Sequence, residues 1–316
     1  MPDADDTRAP FHAGERHWHE AIGQRDAVDA MGRRVIRDHM PQQHQEFFPL
    51  LPAVLIGLLD ELGNPWATAL CGPPGFAWAP DEHTLRLDAR LSADDPAIGG
   101  WRHGVQAGLL GLQHHTRRRN RLNGTLRIDA SGTATIGVRQ SFGNCPRHIE
   151  PRECAFETGW QASASPIQSA WEAGELTSEA CAVILRADTF FIASSSASAT
   201  SNELASSEGV DVSHRGGPAG FVQVGQDDKG QAVLSWPDFP GNRMFNTLGN
   251  IQVQPRVGLL FLDVHSGGWL WLQGKASIST SGLGPDAERH VHVCLTQAWW
   301  RPSGPLRWSA ASQTRS

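Results

Sequence analysis

The chain has 316 residues, 40% hydrophobic and 19% charged, with 27 Lys and Arg against 33 Asp and Glu for a formal charge of −6. That length fits two domains of ordinary size with packed cores, and the acidic balance argues against a basic nucleic-acid binder. No run approaches the ~18 apolar residues of a membrane span, and 33 Gly with 20 Pro favour turns and short strands over long helical bundles.

Residues 1–10 are acidic with no apolar segment, so neither regular structure nor a secretory signal is expected there. Five Cys without CxxC spacing read as reduced thiols of a cytoplasmic protein. Trp18, Ile22, Val28, Met31 and Val35 recur at helical steps, which predicts a helical region from Phe11 to Met40, stopped by Pro41. Residues 53–59 (AVLIGLL) predict a buried strand, and Trp66–Leu70 a second one after the turn Gly63-Asn64-Pro65. A Gly/Pro loop, Cys71–Gly75, follows.

An internal repeat comes next. GLLGLQHHTRRRNRLNGTLRI from Gly108 aligns without a gap on GLLFLDVHSGGWLWLQGKASI from Gly258, with eight identities in 21 positions at an offset of 150. Upstream, the segment from Gly72 resembles the one from Gly217. Each paired segment reads as strand, hairpin, strand. The join lies around residues 155–180. A helix is predicted from Ser178 to Leu185, capped by Thr177 or Ser178, and Asp188–Ser194 opens the second unit as its first strand. The Ser/Ala-rich stretch from Ser194 to Ser207 is expected to be a mobile surface loop. The expected fold is mainly β with minor helices (α+β), as two small barrels in tandem. Residues 1–160 carry the N-terminal helix and first barrel, and residues 161–316 the second.

The chemistry concentrates in Asp211–Val224 and Leu234–Phe261. Ser213, His214 and Arg215 stand beside Gly216-Gly217. Gly241, Asn242, Arg243 and Asn246 lie in a second polar loop before a helical turn predicted at Met244–Ile251. Gly permits close backbone approach, Ser and Asn supply hydrogen bonds, Arg offers a planar fork matched to phosphate, and a helix start adds free N–H groups. Two arginines with neutral donors fit a single phosphate monoester. The same residues also read, with even weight, as two solvated turns.

SHRGGPAGFV, PDFPGNRMFNTLGN, PRVGLLF and LQGKASI, in that order, resemble the pyridoxamine 5'-phosphate oxidase-like family of FMN-binding split β-barrels. FHAGE (Phe11–Glu15) and QSFGNCPRHIEPRE (Gln140–Glu153) resemble signatures of its two-barrel bacterial branch. The resemblance, over about residues 11–295, implies FMN in a groove between two barrels. The phosphate grip would fall at Ser213, His214, Arg215 and Gly216, and at Gly241, Asn242, Arg243 and Asn246. Trp236 and Pro237 would occupy the strand end where relatives place an aromatic and a hydroxyl residue. This chain has no hydroxyl at 237. The tail WWRPSGPLRWSAASQTRS does not match the motif that binds the phosphate of vitamin B6 substrates. The first copy carries Ala69-Leu70-Cys71-Gly72 where the second has SHRGG, and Asp94 and Asp95 there would repel a phosphate. It is therefore expected to serve as a wall or a pseudo-dimer partner, with Gln140, Ser141 and Asn144 reaching toward the flavin ring.

Other candidates have plain readings. Cys145 reads as a structural thiol, His290, His292 and Cys294 as an ordinary strand face, and His12, His17 and His19 as surface residues or caps. Arg117, Arg118 and Arg119 read as a solvated hairpin tip, and Trp269 and Trp271 as packing. No metal site and no catalytic residue is assigned. The expected protein is a cytoplasmic homodimer that binds FMN and neither nucleic acid nor membrane. It would be a flavin-dependent oxidoreductase drawing electrons from a nicotinamide or an electron-transfer partner. The alternatives are a non-catalytic flavin-binding protein and a haem-binding or haem-degrading relative. Many relatives append a ferredoxin-reductase-like module, and none is expected before Ser316.

Overall fold

A computed structural model describes residues 9–172, 175–201, 204–282, 284 and 287–310; the expectation for residues 1–8 lies outside them. Two helices open the chain, α1 (Ala13–Ala21) and α2 (Arg25–Val35), and a single turn, α3 (Gln42–Gln45), follows Pro41. The helical region expected through Met40 is thus broken at Gly23, which adopts φ 66°, and it ends at Val35. Arg37 instead bridges to Ser141 in antiparallel fashion.

The strands of the first half are β1 (Ala53–Leu59), β2 (Pro65–Cys71), β3 (Ala77–Asp81), β4 (Thr84–Leu87), β5 (Gln106–Gln113), β6 (Arg118–Ile128) and β7 (Ala134–Gly143). The short strands β8 (Arg152–Phe156), β9 (Gln168–Ser169), β10 (Trp171–Glu172) and β11 (Glu175–Leu176) lead to helix α4 (Ser178–Arg186). The Thr177 side chain caps α4 by accepting from the Ala180 N–H. The second half has β12 (Thr189–Ser195), β13 (Val210–Gly216), β14 (Gln223–Gln226), β15 (Ala232–Pro237), helix α5 (Asn246–Val253), β16 (Arg256–Leu262), β17 (Trp269–Thr280), β18 (Arg289–Arg301) and β19 (Leu306–Ala310).

The repeat is a topological one. The first large sheet runs β2-β1-β5-β6-β7-β4-β3 and the second β13-β12-β16-β17-β18-β15-β14, so each strand of one has a counterpart eleven strands later in the other. Register agrees as well: Leu55 faces Leu110 in the first sheet, and Phe191 faces Leu260 in the second. Both sheets break register at the same aligned pair, Asn123/Gly124 and Gln273/Gly274. Neither sheet closes on itself along this path. The fold is therefore mainly β and antiparallel, with minor helices.

The halves meet through equivalent glycines. A Cβ on Gly108 of β5 would come 2.4 Å from the Val210 carbonyl oxygen of β13. One on Gly258 of β16 would come 2.3 Å from the Pro65 carbonyl oxygen of β2. Only glycine allows this approach, so the repeat's matched glycines mark a pseudo-two-fold contact. One core joins the first sheet to Phe191, Val212, Leu260, Trp269 and Trp271 of the second half, while a second core sits within the latter around Phe190, Trp236 and Phe261. β8 pairs with β19, tying the end of the first unit to the chain's last described strand. No helix among the described residues is long and apolar enough to cross a membrane.

Candidate functional site

A cavity of about 750 Å³, counted to its open mouth, lies between the two halves. β13 contributes Ser213, His214, Arg215 and Gly216 to its wall. β15 contributes its last residue, Pro237, the loop after it Asp238, Phe239, Gly241, Asn242 and Arg243, and the start of α5 adds Phe245, Asn246 and Thr247. The first half supplies Arg119 and Arg121 from β6, with Arg147 and His148 from the segment after β7.

The loop into α5 is held in a costly shape. Arg243 (φ 62°) and Phe245 (φ 56°) are both left-handed, a conformation that disfavours residues with a Cβ and concentrates at functional sites. The Asn242 side-chain oxygen accepts from the Met244 N–H at 3.1 Å, which braces the turn. Arg243 donates to Gln24 Oε1 of the α1–α2 loop at 2.6 Å. The turn thus delivers a guanidinium and a helix start to the same cavity.

Charge at the site is unevenly matched. Arg121 is buried and donates to Asp211 Oδ1 at 2.7 Å and to the Ser213 hydroxyl. Asp211 also accepts from Asn123 and Asn250, each at 2.8 Å, so this carboxylate is fully engaged. Arg119 donates to His214 Nδ1 at 2.9 Å. Burial, then the neighbouring Arg119, hold His214 well below the usual histidine range. It is neutral, accepts at Nδ1 and keeps its proton on Nε2. Burial also pulls the Arg119 guanidinium down to about 10, with Arg215 beside it contributing. Arg215 donates to the His214 carbonyl at 3.0 Å, and burial lowers it too, with Asp238 opposing. Arg119 Nε, Arg121 Nε and the Thr247 hydroxyl are buried without a hydrogen-bond partner among the described residues. Unmatched guanidinium groups, an unpartnered hydroxyl and a helix N-terminus on one cavity suit a phosphate or other oxyanion.

Helix α1 backs the site. A Cβ on Gly14 would come 2.0 Å from the Gly249 carbonyl oxygen, so α1 and α5 cross at backbone contact. His12 caps α1 reciprocally with Glu15 and reaches Asn250 Oδ1 at 2.9 Å. Glu15 accepts from the Asn246 side chain; burial, then Asp211, push its carboxyl well up. His19 is fully buried against the Met244 carbonyl, at 3.3 Å. Of the three histidines expected to be caps or surface residues, His12 is a buried cap, His17 is exposed and His19 is core.

Nine of the twelve residues expected at a cofactor site line this cavity: Ser213, His214, Arg215, Gly216, Pro237, Gly241, Asn242, Arg243 and Asn246. Trp236, Gln140 and Ser141 do not. Side chains alternate across a strand, so Trp236 turns inward onto Phe190 while Pro237 meets the cavity. Ser141 is buried against His44 Nδ1 at 2.7 Å, and Gln140 donates to the Ser206 carbonyl in a separate small recess. Arg119, Arg121, Arg147 and His148 were not expected. Arg119 is not part of a solvated hairpin tip: the turn ends at Arg117, and Arg119 and Arg121 point inward as alternate residues of β6. The repeat held the signal, because they align with Trp269 and Trp271, which the sequence marks as packing residues.

The pseudo-equivalent crevice has another composition. Thr68, Ala69 and Leu70 stand where Ser213, His214 and Arg215 stand in the first. Trp271 Nε1 donates to the Thr68 hydroxyl at 3.3 Å, and that hydroxyl donates to Asp95 Oδ2 at 2.7 Å. Burial raises Asp95 to about 6. Arg301 pairs with Asp94 at 2.7 Å and lies over the Trp271 ring.

No protein-family profile matches the chain, and no curated protein matches it. Among solved structures, HupZ from Group A Streptococcus is 13% identical over 33% of this chain and 93% of that one, with a TM-score of 0.27. A putative pyridoxamine 5'-phosphate oxidase from Lactobacillus delbrueckii is 16% identical over 40% of this chain and 95% of that one, TM-score 0.27. A FAD-binding protein from Mesorhizobium loti is 11% identical over 44% of this chain and 99% of that one, TM-score 0.25.

Proposed function

We propose that this chain is an FMN-binding flavoprotein of two tandem split β-barrels, a flavin-dependent oxidoreductase acting in the cytoplasm as a homodimer. The observation that carries the reading is that Arg215 of β13 and Arg243 of the loop before α5 line one cavity with the start of α5. The motif order of SHRGG, PDFPGNR and LQGKASI supports the same reading. In it, Arg215, Arg243 and the N–H groups at Asn246 and Thr247 hold the terminal phosphate of the cofactor. Asn242 keeps the loop in shape, and neutral His214 holds Arg119 beside the phosphate without adding charge. When bound, the flavin ring supplies electron transfer. The protein's part is to bind, orient and shield it, with no side chain assigned as acid or base. The electrons come from a free nicotinamide or a separate carrier.

The test is the absorbance spectrum of purified protein, mass identification of the cofactor released on denaturation, and stopped-flow mixing with NADH and NADPH. A yellow protein that releases FMN and is bleached by one nicotinamide upholds the reading. A colourless protein that ignores added FMN rejects it. Bound flavin that no donor reduces leaves a flavin-binding protein without the enzyme, and a Soret band on haemin titration replaces flavin with haem.

A further inference from the structure

Helix α1 is tied to the start of α5 by more than backbone contact. The Trp18 indole donates to the Leu248 carbonyl at 3.2 Å. His12 accepts from the Gly14 N–H at Nδ1, so its proton sits on Nε2, which donates to Asn250 Oδ1. Asn250 in turn donates to the Ser194 hydroxyl and to Asp211 Oδ2. Glu15 lies inside this network, only 2% exposed. One of its oxygens accepts from the His12 N–H at 2.9 Å, and the other meets the Asn246 side-chain amide. The charges do not balance if Glu15 is ionised. The titratable and charged groups that face it are His12 of its own helix, Asp211 of β13 and Arg121 of β6; α5 brings only the neutral Asn246. Arg121 is already paired with Asp211. His12 Nε2 is 3.8 Å away, but burial lowers that imidazole below the usual histidine range, so it brings no charge at neutral pH. An ionised Glu15 is then a buried, uncompensated anion against the first turn of α5, and burial, with Asp211 beside it, pushes the carboxyl well up.

We propose that Glu15 is a positioning residue that acts through Asn246, and that it must carry a proton for the cavity to hold an anion at the start of α5. The inference rests on the phosphate grip described above. Asn246 lines the cavity, so the end of its amide that Glu15 does not hold is the end offered to a ligand. An ionised carboxylate can only accept: it takes the amide NH2 and leaves the Asn246 carbonyl oxygen toward the anion. A protonated carboxyl donates to that oxygen instead, turns the amide over and leaves the NH2 to donate to the anion. The proton comes from solvent and also removes the negative charge from behind the helix start. Binding an anion therefore takes up a proton, and affinity falls as pH rises. Glu15 does this without lining the cavity itself.

The experiment titrates FMN and riboflavin by fluorescence, from pH 7 to pH 9, into flavin-free wild type and Glu15→Gln. A phosphate monoester is already a dianion there, its second ionisation lying near pH 6. Wild-type affinity for FMN should fall about ten-fold or more across the range, and affinity for riboflavin should not follow it. Glu15→Gln, neutral at every pH, should bind FMN equally at both ends. If that variant does not fold, the wild type decides by infrared difference spectroscopy with carbon-13-labelled glutamate: adding FMN at pH 9 should bring up the C=O band of a protonated glutamic acid. The proposal is overturned if wild type and Glu15→Gln share one pH slope, if riboflavin affinity falls with that of FMN, or if no such band appears. Where the protein ignores FMN, sulfate, a dianion throughout this range, replaces it in calorimetric titration. Sulfate affinity that falls with pH in wild type and not in Glu15→Gln upholds the proposal and removes the flavin reading alone; no sulfate binding at any pH removes both.

Discussion

Two crevices related by the internal repeat share a backbone and differ in what their side chains do. In one, Arg119, Arg121, Ser213, His214 and Arg215 surround open space. In the other, Trp269, Trp271, Thr68, Ala69 and Leu70 fill the same register positions, with Asp95 buried behind them. The same fold accommodates both compositions. Indoles took the volume of the guanidinium groups, and a carboxyl took the side from which a phosphate would be held. The first crevice pays for openness with buried cations, whereas the second gains packing.

The comparison breaks most visibly at Arg121. Replacing it by Leu leaves Asp211 buried and unpaired, which should cost about 3–5 kcal/mol in denaturant unfolding. Adding Asp211→Asn should recover most of that loss. If Arg121→Leu alone melts like wild type, Asp211 is not held as described.

The two crevices should also respond to pH with opposite sign. Asp95 is raised from 3.8 to about 6, so its stabilising share is full below 3.8 and lost as pH rises through about 6. Asp95→Asn should therefore gain stability on wild type between pH 4 and pH 7. His214 is lowered, so its share is present above 6.5 and lost in acid. His44, lowered to about 4 by burial, and His114, lowered to about 3 by burial, act in the same direction. Melting temperatures from pH 3 to pH 8 check both; a flat difference between Asp95→Asn and wild type contradicts the buried carboxyl.

Smaller in energy, Arg243→Ala should weaken FMN ten-fold or more, the loss of a charge-assisted bond of about 1.5–3 kcal/mol. Arg102→Ala, exposed in the first half, should change nothing measurable in the same titration.

Much of this was legible in the chain. The repeat at offset 150, the strand at residues 53–59 and the Thr177-capped helix all rest on local pattern, and local pattern carries strand and cap information. Arg215 and Arg243 were legible because glycine, Asn and Arg cluster around each. Arg119 was not, because a run of three arginines looks like a solvated tip until strand pairing turns the third inward. Trp236 was misplaced for a related reason: a one-residue phase on a strand decides which face a side chain takes. Glu15 and His19 were invisible as buried groups, since nothing local announces that α1 crosses α5 at Gly14 and Gly249.

The central claim is that guanidinium groups of the second half grip the cofactor's phosphate, and the most direct measurement compares FMN with riboflavin by fluorescence titration. Wild type should prefer FMN by 100-fold or more, at about 1.4 kcal/mol per ten-fold, and the preference should shrink to a few-fold in an Arg215→Ala/Arg243→Ala double variant. Equal affinity for the two flavins in wild type, or an undiminished preference in the double variant, would contradict the account.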